Sequence, residues 1–341
     1  MTADYRTQDY ELRKEFFKRY YHWQLVTQDC DPAMYMLNYL HKRMELNIEQ
    51  RYWIAWIYAN TYNVATTWII WNEFPDFENV DQERLEKWNA ENYKKLIYET
   101  DNKWQKGHLP AMFASYKKNV YEFGCATQEE YFREALCTNI SEQENFDVCM
   151  KVIQKDFFKF GRYLAFFYLQ TLRETCDLPV MPSDLLLKDS SSTSHRNGLF
   201  YAVAMDEMTE KGTPFDKETH AYLDEEAKQI LDEMRSKHPD VEVDYFTMET
   251  SLCSFKKMFR KKHGRYLGYY IDRQAENIKR CEVDHYWPGI DWSLLWDARN
   301  ETLIPELLVN KVDERRMHYF LDKGQVEFID WFTESAFEGI Q

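Results

Sequence analysis

Apolar residues return every three or four positions along almost the whole chain, the spacing of a buried helix face. The segment "AMYMLNYLHKRMEL" follows Asp31-Pro32, a capping carboxylate with proline at the first helical position, and predicts a helix from that point. Asn47 with Gln50 three residues on has the form of a capping box ahead of "RYWIAWIYANTYNVATTWIIW", apolar enough to be buried all round. Thr127 with Glu130, and Ser141 with Glu144, repeat that signature before "EEYFREAL" and "NFDVCMKVIQKDFFKF". Further helices are expected in "ERLEKWNAENYKKLIYE", "KETHAYLDEEAKQILDEMRSK", "RYLGYYIDRQAENIKR", "DERRMHYFLDK" and "QVEFIDWFTESAF". Strand alternation is scarce, and "VEVDYF" is its best example. The pattern therefore predicts an all-α fold with minimal β structure, a single aromatic-rich multi-helix domain over residues 1–341. A composition shift near 179–194 is the place where a sub-boundary is expected.

Composition sharpens this picture. With 10 glycines and 9 prolines against 11 Trp, 24 Tyr and 22 Phe, the elements should be long and their packing bulky. No stretch reaches the eighteen or so apolar residues of a membrane span, and the N-terminus lacks the apolar centre of a signal peptide. A soluble, intracellular protein with no membrane partner is expected. The seven cysteines include no C-x-x-C pair and read as reduced, buried thiols. The net charge of -15 argues against a phosphate-chain partner over the surface as a whole. A binding face is local, however. Lys256, Lys257, Arg260, Lys261, Lys262 and Arg265 place six fixed positive charges within ten residues, either as a solvated helix surface or as a rail for a DNA backbone.

Phosphate-loop, dinucleotide, zinc-protease and serine-hydrolase signatures are all missing. Other clusters carry the candidate chemistry. In "SSSTSHRNGLFYA", a hydroxyl run meets Ser194, His195, Arg196, Asn197 and Gly198 at a loop-to-helix junction, where free N–H groups and the helix dipole attract anions. The competing reading is a capping loop in which His195 and Arg196 tie helices together. "TTWIIWNEFPDF" sets Asn72, Glu73 and Asp76 among Trp68, Trp71, Phe74 and Phe77; a carboxylate among rings is poorly solvated and suits proton abstraction, or else simply orders the turn. Lys103, Lys106 and His108 in one segment, and Arg162 and Tyr163 at the head of another, offer further cationic and polar side chains. Arg265, Asp272, Arg273 and Glu276 form a charged band at helical spacing, and a structural Arg–Glu lattice explains it nearly as well as a site. Trp287, with His285, Trp292, Trp296 and Arg299, offers rings beside a guanidinium for stacking on a base.

Taken together, "DPAMYMLNYL", "LNIEQRYWIAWIYANTYNVATTWIIWNEFPDF", "WNAENYKKLIYETDNKWQKGHLPAMFASY", "FFKFGRYLAFFYLQTL" and "SHRNGLFYA" resemble the amino acid:DNA transferase family of bacteriophages, which acts in thymidine hypermodification alongside the α-glutamyl/putrescinyl-thymine pyrophosphorylases. The likeness runs from about Tyr20 to Ala204 and more weakly beyond. It implies a transferase whose partners are a free amino acid and DNA carrying 5-hydroxymethyluracil activated with pyrophosphate, in the cytoplasm of an infected bacterial host. An amine of the glycine or serine type replaces the pyrophosphate on the 5-methylene, either by direct displacement or by loss of pyrophosphate to a methylene intermediate followed by amine addition. That chemistry needs cations or a helix N-terminus for the leaving group, a proton acceptor for the amine, and an aromatic pocket for a base turned out of the stack.

His195 and Arg196 then serve as the anion grip, with Arg162, Arg265 and Arg273 as further ligands. Glu73, Asp76 or Asp272 is the proton acceptor, Trp68 or Trp287 the stacking ring, and Asn72, Lys106, His108, Tyr163, Ser194 and Asn197 complete the substrate contacts. The residues fix no cofactor, and Mg2+ is the metal considered. The rival readings are a non-catalytic helical DNA-binding protein and a base-flipping, glycosylase-like enzyme.

Overall fold

The computed structural model describes residues 10–189, 193–203, 215–258, 268–284 and 287–304, and among these every regular element is helical. Their contacts divide the chain into two compact units. One comprises Met1–Pro32, Ser183–Asp272 and Ile304–Gln341, the other Ala33–Pro182 and Arg273–Leu303.

The first unit holds α1 (Tyr10–Val26), α9 (Thr193–Val203), α10 (Lys217–Lys237), α11 (Tyr245–Met258) and the opening of α12 (Tyr269–Lys279). Its core joins Phe17, Tyr20 and Tyr21 of α1 to Leu199 and Val203 of α9, Ile230 of α10 and Leu252 and Phe255 of α11. Phe17 meets Phe255 edge-on at 5.2 Å. Lys14 and Lys18 of α1 pair with Glu226 and Glu233 of α10 at 2.8 and 2.7 Å, so that face carries its charge in cross-helix pairs. The expected strand "VEVDYF" is not one. Asp244 Oδ1 accepts the amide of Thr247 at 2.7 Å, and this cap starts α11 where alternation had suggested extension.

The second unit contains α2 (Pro32–Arg43, entered at its second residue), α3 (Ile48–Thr61), α4 (Val64–Glu73), α5 (Gln82–Asn92), α6 (Leu109–Glu122), α7 (Glu142–Asp156), α8 (Arg162–Cys176), the remainder of α12 and α13 (Ser293–Thr302). A 3-10 segment covers Thr100–His108, and wider π-type turns cover Glu130–Leu136 and Arg280–Asp284. The Asn47 capping box forms in both directions, at 2.9 and 3.1 Å.

The long apolar run after it is two helices. Tyr62 adopts a left-handed conformation (φ 49°) and Asn63 caps α4 through the amide of Thr66 at 2.9 Å. A short polar side chain inside an apolar run thus ends one helix and starts the next. The packing around α3 is largely aromatic: Trp53 and Trp56 stack within the helix at 5.2 Å, Trp56 stacks on Tyr116 of α6 at 5.4 Å, Tyr58 meets Phe167 of α8 at 5.5 Å, and Tyr116 donates to Gln128 Oε1 at 2.8 Å. No helix among the described residues is long and apolar enough to cross a membrane.

Candidate functional site

The hydroxyl-rich stretch is helical earlier than its sequence suggests. α9 begins at Thr193, so His195, Arg196 and Asn197 occupy its first turns instead of a loop before it. His195, Asn197 and Gly198 are all buried, because α9 lies against α1, α10 and α11 at once. Gly198 sits at the crossing with α11: a Cβ there would stand 2.1 Å from the carbonyl oxygen of Leu252. Only glycine allows the two backbones this approach.

Three residues earlier on each helix, the crossing brings His195 and Glu249 together. His195 Nδ1 lies 3.0 Å from Glu249 Oε1, and its Nε2 lies 2.9 Å from the carbonyl oxygen of Leu185. A carbonyl only accepts, so Nε2 carries the proton of that bond. Cys253, one turn after Glu249, points its thiol at Glu249 Oε2 at 3.7 Å. Arg196 donates from Nη1 to the carbonyl of Leu187 at 3.2 Å and stacks on Phe215 at 4.3 Å. The expected anion grip is thus corrected in its geometry. Both side chains engage carbonyls of the 185–187 segment, because the helix starts early enough to turn them inward; Ser194 and Arg196 are half-buried and Thr193 is exposed.

Glu73 and Asp76 are not enclosed by rings. The end of α4 turns Trp68, Trp71, Phe74 and Phe77 into the core and leaves the carboxylates toward solvent. Glu73 pairs with Arg84, which also caps the carbonyl of Glu73 at 3.3 Å. Asp76 accepts from the amide of Glu78 at 3.1 Å and from the Asn79 side chain, ordering the turn. Asn72 is exposed and donates back to the Trp68 carbonyl at 2.8 Å. Trp68 is itself buried, stacked on Trp71 at 5.2 Å with its N–H on the Asp291 carbonyl at 3.0 Å. Its ring faces have no room for a base in this conformation. Trp287 is only half-buried, 6.1 Å from Trp88 with Lys95 Nζ 5.9 Å from its centroid.

Arg273 fastens Glu99: Nε and Nη2 reach Oε1 at 3.1 and 2.8 Å, and Asn277 donates to the same oxygen at 3.1 Å. This is the lattice arrangement. Asp272, four residues from Gly268 in α12, is half-buried. Lys256 and Lys257 end α11 half-buried, with Lys257 Nζ 3.4 Å from the Tyr270 hydroxyl. Arg260, Lys261, Lys262 and Arg265 lie outside the described residues, as does His285. Arg162 belongs to one unit and Arg196 to the other.

Two of the singled-out segments do meet. "KWQKGHLP" and "KFGRYL" line a hollow of about 380 Å³ formed by Trp104, Gln105, Gln154, Phe157, Lys159, Phe160 and Gly161. Gly161 precedes α8 without a side chain to cap it, so the N-terminal, positive end of a 15-residue helix dipole borders this space. Trp104 is 75% exposed, with Lys103 Nζ 5.3 Å from its ring. Arg162 is buried with its guanidinium 4.7 Å from Phe166, and Tyr163 lies parallel to Phe167. Lys106 donates to the Leu96 carbonyl at 2.5 Å; burial, with help from Arg280, pulls its pKa below the usual lysine range. His108 is exposed, edge-on to Phe158 at 6.4 Å.

Sequence reasoning passed over Trp104, the signal for which was a lone tryptophan between two lysines. It also passed over Glu249 and Cys253, whose four-residue spacing on α11 becomes visible only opposite Gly198.

Residues 26–263 match the family model for amino acid:DNA transferase. The chain belongs to the amino acid:DNA transferase family. It is therefore an all-helical transferase whose substrates are an amino acid and DNA. A serinyltransferase of Salmonella phage ViI is 25% identical over 299 residues, covering 81% of this chain and 71% of the relative. No solved structure matches the chain.

Proposed function

We propose that this family member couples the amine of a small amino acid, serine first, to the 5-methylene of pyrophosphorylated 5-hydroxymethyluracil in phage DNA, within the infected host's cytoplasm. The nitrogen–carbon bond forms as the carbon–oxygen bond to pyrophosphate breaks, and the amine gives up a proton. The observation that carries the placement is the hollow at the head of α8. Trp104 offers an open ring face on which an everted base stacks. Lys159 and the positive end of the α8 dipole offer positive potential to a departing diphosphate. Gln105 and Gln154 supply neutral hydrogen-bonding groups for a base edge or an amino acid.

The serinyltransferase relative supports serine as the first amino acid to try. His195 and Arg196 act in this reading as positioning residues that hold the 185–187 segment to α9. Neither Glu73 nor Asp76 lines the hollow, so neither is assigned the proton transfer.

The test incubates the purified chain with pyrophosphorylated 5-hydroxymethyluracil DNA and each amino acid in turn, followed by nucleoside analysis. A serine-containing nucleoside with release of pyrophosphate is expected. Salt-dependent DNA binding with no new nucleoside from any amino acid would leave a DNA-binding protein, and release of free base would leave a glycosylase.

A further inference from the structure

We propose that His195, Glu249 and Cys253 form a site for one divalent transition-metal ion of the zinc type, clamping α9 to α11 in the first unit. One ligand atom from each lies within 4.8 Å of the others. His195 Nδ1 stands 3.0 Å from Glu249 Oε1 and Cys253 Sγ 3.7 Å from the other carboxylate oxygen, Oε2, so both donors flank one carboxylate. Tetrahedral zinc with ordinary bond lengths has nitrogen–oxygen edges of about 3.4 Å and oxygen–sulfur edges of about 3.6 Å. The remaining sulfur–nitrogen pair lies within the same 4.8 Å.

A second, independent observation points the same way. His195 places Nε2 on a main-chain carbonyl, Leu185 O at 2.9 Å, which leaves Nδ1 as the nitrogen turned toward Glu249. Metal-ligating histidines almost always have such an outer partner on the nitrogen away from the metal. The ligands are also preorganised by the scaffold. Gly198 against the Leu252 carbonyl fixes how closely the helices cross, and Glu249 and Cys253 occupy successive turns of one face of α11. His195 and Glu249 are buried and Cys253 is half-buried, so the thiol side provides the route of entry.

The donor set decides the metal class. Thiolate and imidazole prefer zinc and its transition-metal neighbours, whereas Mg2+ takes oxygen ligands and keeps its waters. Binding displaces the proton shared between Nδ1 and Oε1 and the thiol proton, both to solvent.

The test uses the full chain stripped with a chelator and titrated with Zn2+ by calorimetry, and with Co2+ by absorption spectroscopy. One ion per chain is expected, with a thiolate-to-cobalt charge-transfer band. Cys253→Ser should abolish that band, and Glu249→Gln, which preserves shape and hydrogen bonding, should weaken binding at least tenfold. Cys125→Ser should bind as wild type does. The proposal is overturned by a wild-type chain that binds no Zn2+, by a Cys253→Ser chain that keeps the cobalt band, or by a Glu249→Gln chain of unchanged affinity and unchanged circular dichroism. Helicity measured on every variant separates lost ligands from lost folding.

Discussion

Replacing Gly198 with alanine perturbs a single contact whose size can be worked out. The added Cβ would stand 2.1 Å from the Leu252 carbonyl oxygen and 2.6 Å from its carbon, against an ordinary contact beginning near 3.4 Å. Both neighbours are main-chain atoms and cannot rotate aside, so α9 and α11 must part by about 1.3 Å in an interior packed like a crystal. Alanine gains about 1 kcal/mol over glycine from helix propensity alone. Overpacking costs about 1–3 kcal/mol where side chains can adjust, and more where the backbone itself must move.

The clash therefore outweighs the propensity gain, and we expect a net loss of about 2 kcal/mol or more, seen as a drop of several degrees in Tm. The same displacement stretches the 3.0 Å His195–Glu249 contact to about 4 Å, beyond hydrogen-bond range. Urea unfolding followed by near-ultraviolet circular dichroism measures the first effect. Wild-type or greater stability in Gly198→Ala would refute the close crossing, since only an open crossing would let the propensity gain through.

Further expectations follow from other contacts. Trp104→Ala should cut turnover on modified DNA at least tenfold with little change in Tm, because the ring is exposed and supports little packing; steady-state kinetics alongside a thermal melt would expose unchanged turnover as the failure of the stacking role. Arg273→Met strips Glu99 of two charged hydrogen bonds and should cost about 2 kcal/mol in urea unfolding, an effect near zero being contrary to the lattice assignment. Asp29 is fully buried beneath the amides of Gly268, Tyr270 and Ile271, and burial raises its pKa to about 8 against the opposing pull of those amides. The folded state thus holds a proton that the unfolded chain releases near 3.8, so this contribution is full below that pH and is lost as pH rises toward 8. Unfolding titrations between pH 6.5 and about 8 should show a falling stability that levels off above and that Asp29→Asn flattens. His41 behaves oppositely: burial lowers its pKa to about 3, so stability present above 6.5 declines as pH falls toward 3, and a slope unaltered by His41→Gln would contradict that assignment.

The sequence by itself determined the helical class and most element starts, since these depend on residues within a turn or two of one another. Asn47 with Gln50, Ser141 and Asp216 cap the helices that follow them whatever lies elsewhere in the chain. The family was legible for a similar reason, as a likeness of whole segments that needs no knowledge of contacts. Where local signals competed, the sequence was less decisive: the hydroxyl run hid the true start of α9, and "VEVDYF" alternated like a strand although Asp244 caps a helix within it.

Only the tertiary structure decided what each polar side chain faces. Glu73, amid aromatic residues in sequence, faces Arg84 because the rings around it turn inward and the carboxylate does not. His195 meets Glu249 across 54 positions of chain because Gly198 lets two backbones touch, and the hollow at the head of α8 exists because Trp104 and Gly161 come together from separate segments. Periodicity assigns a residue to one face of its own helix, but the neighbour on that face is chosen by the packing of bulky side chains from distant segments.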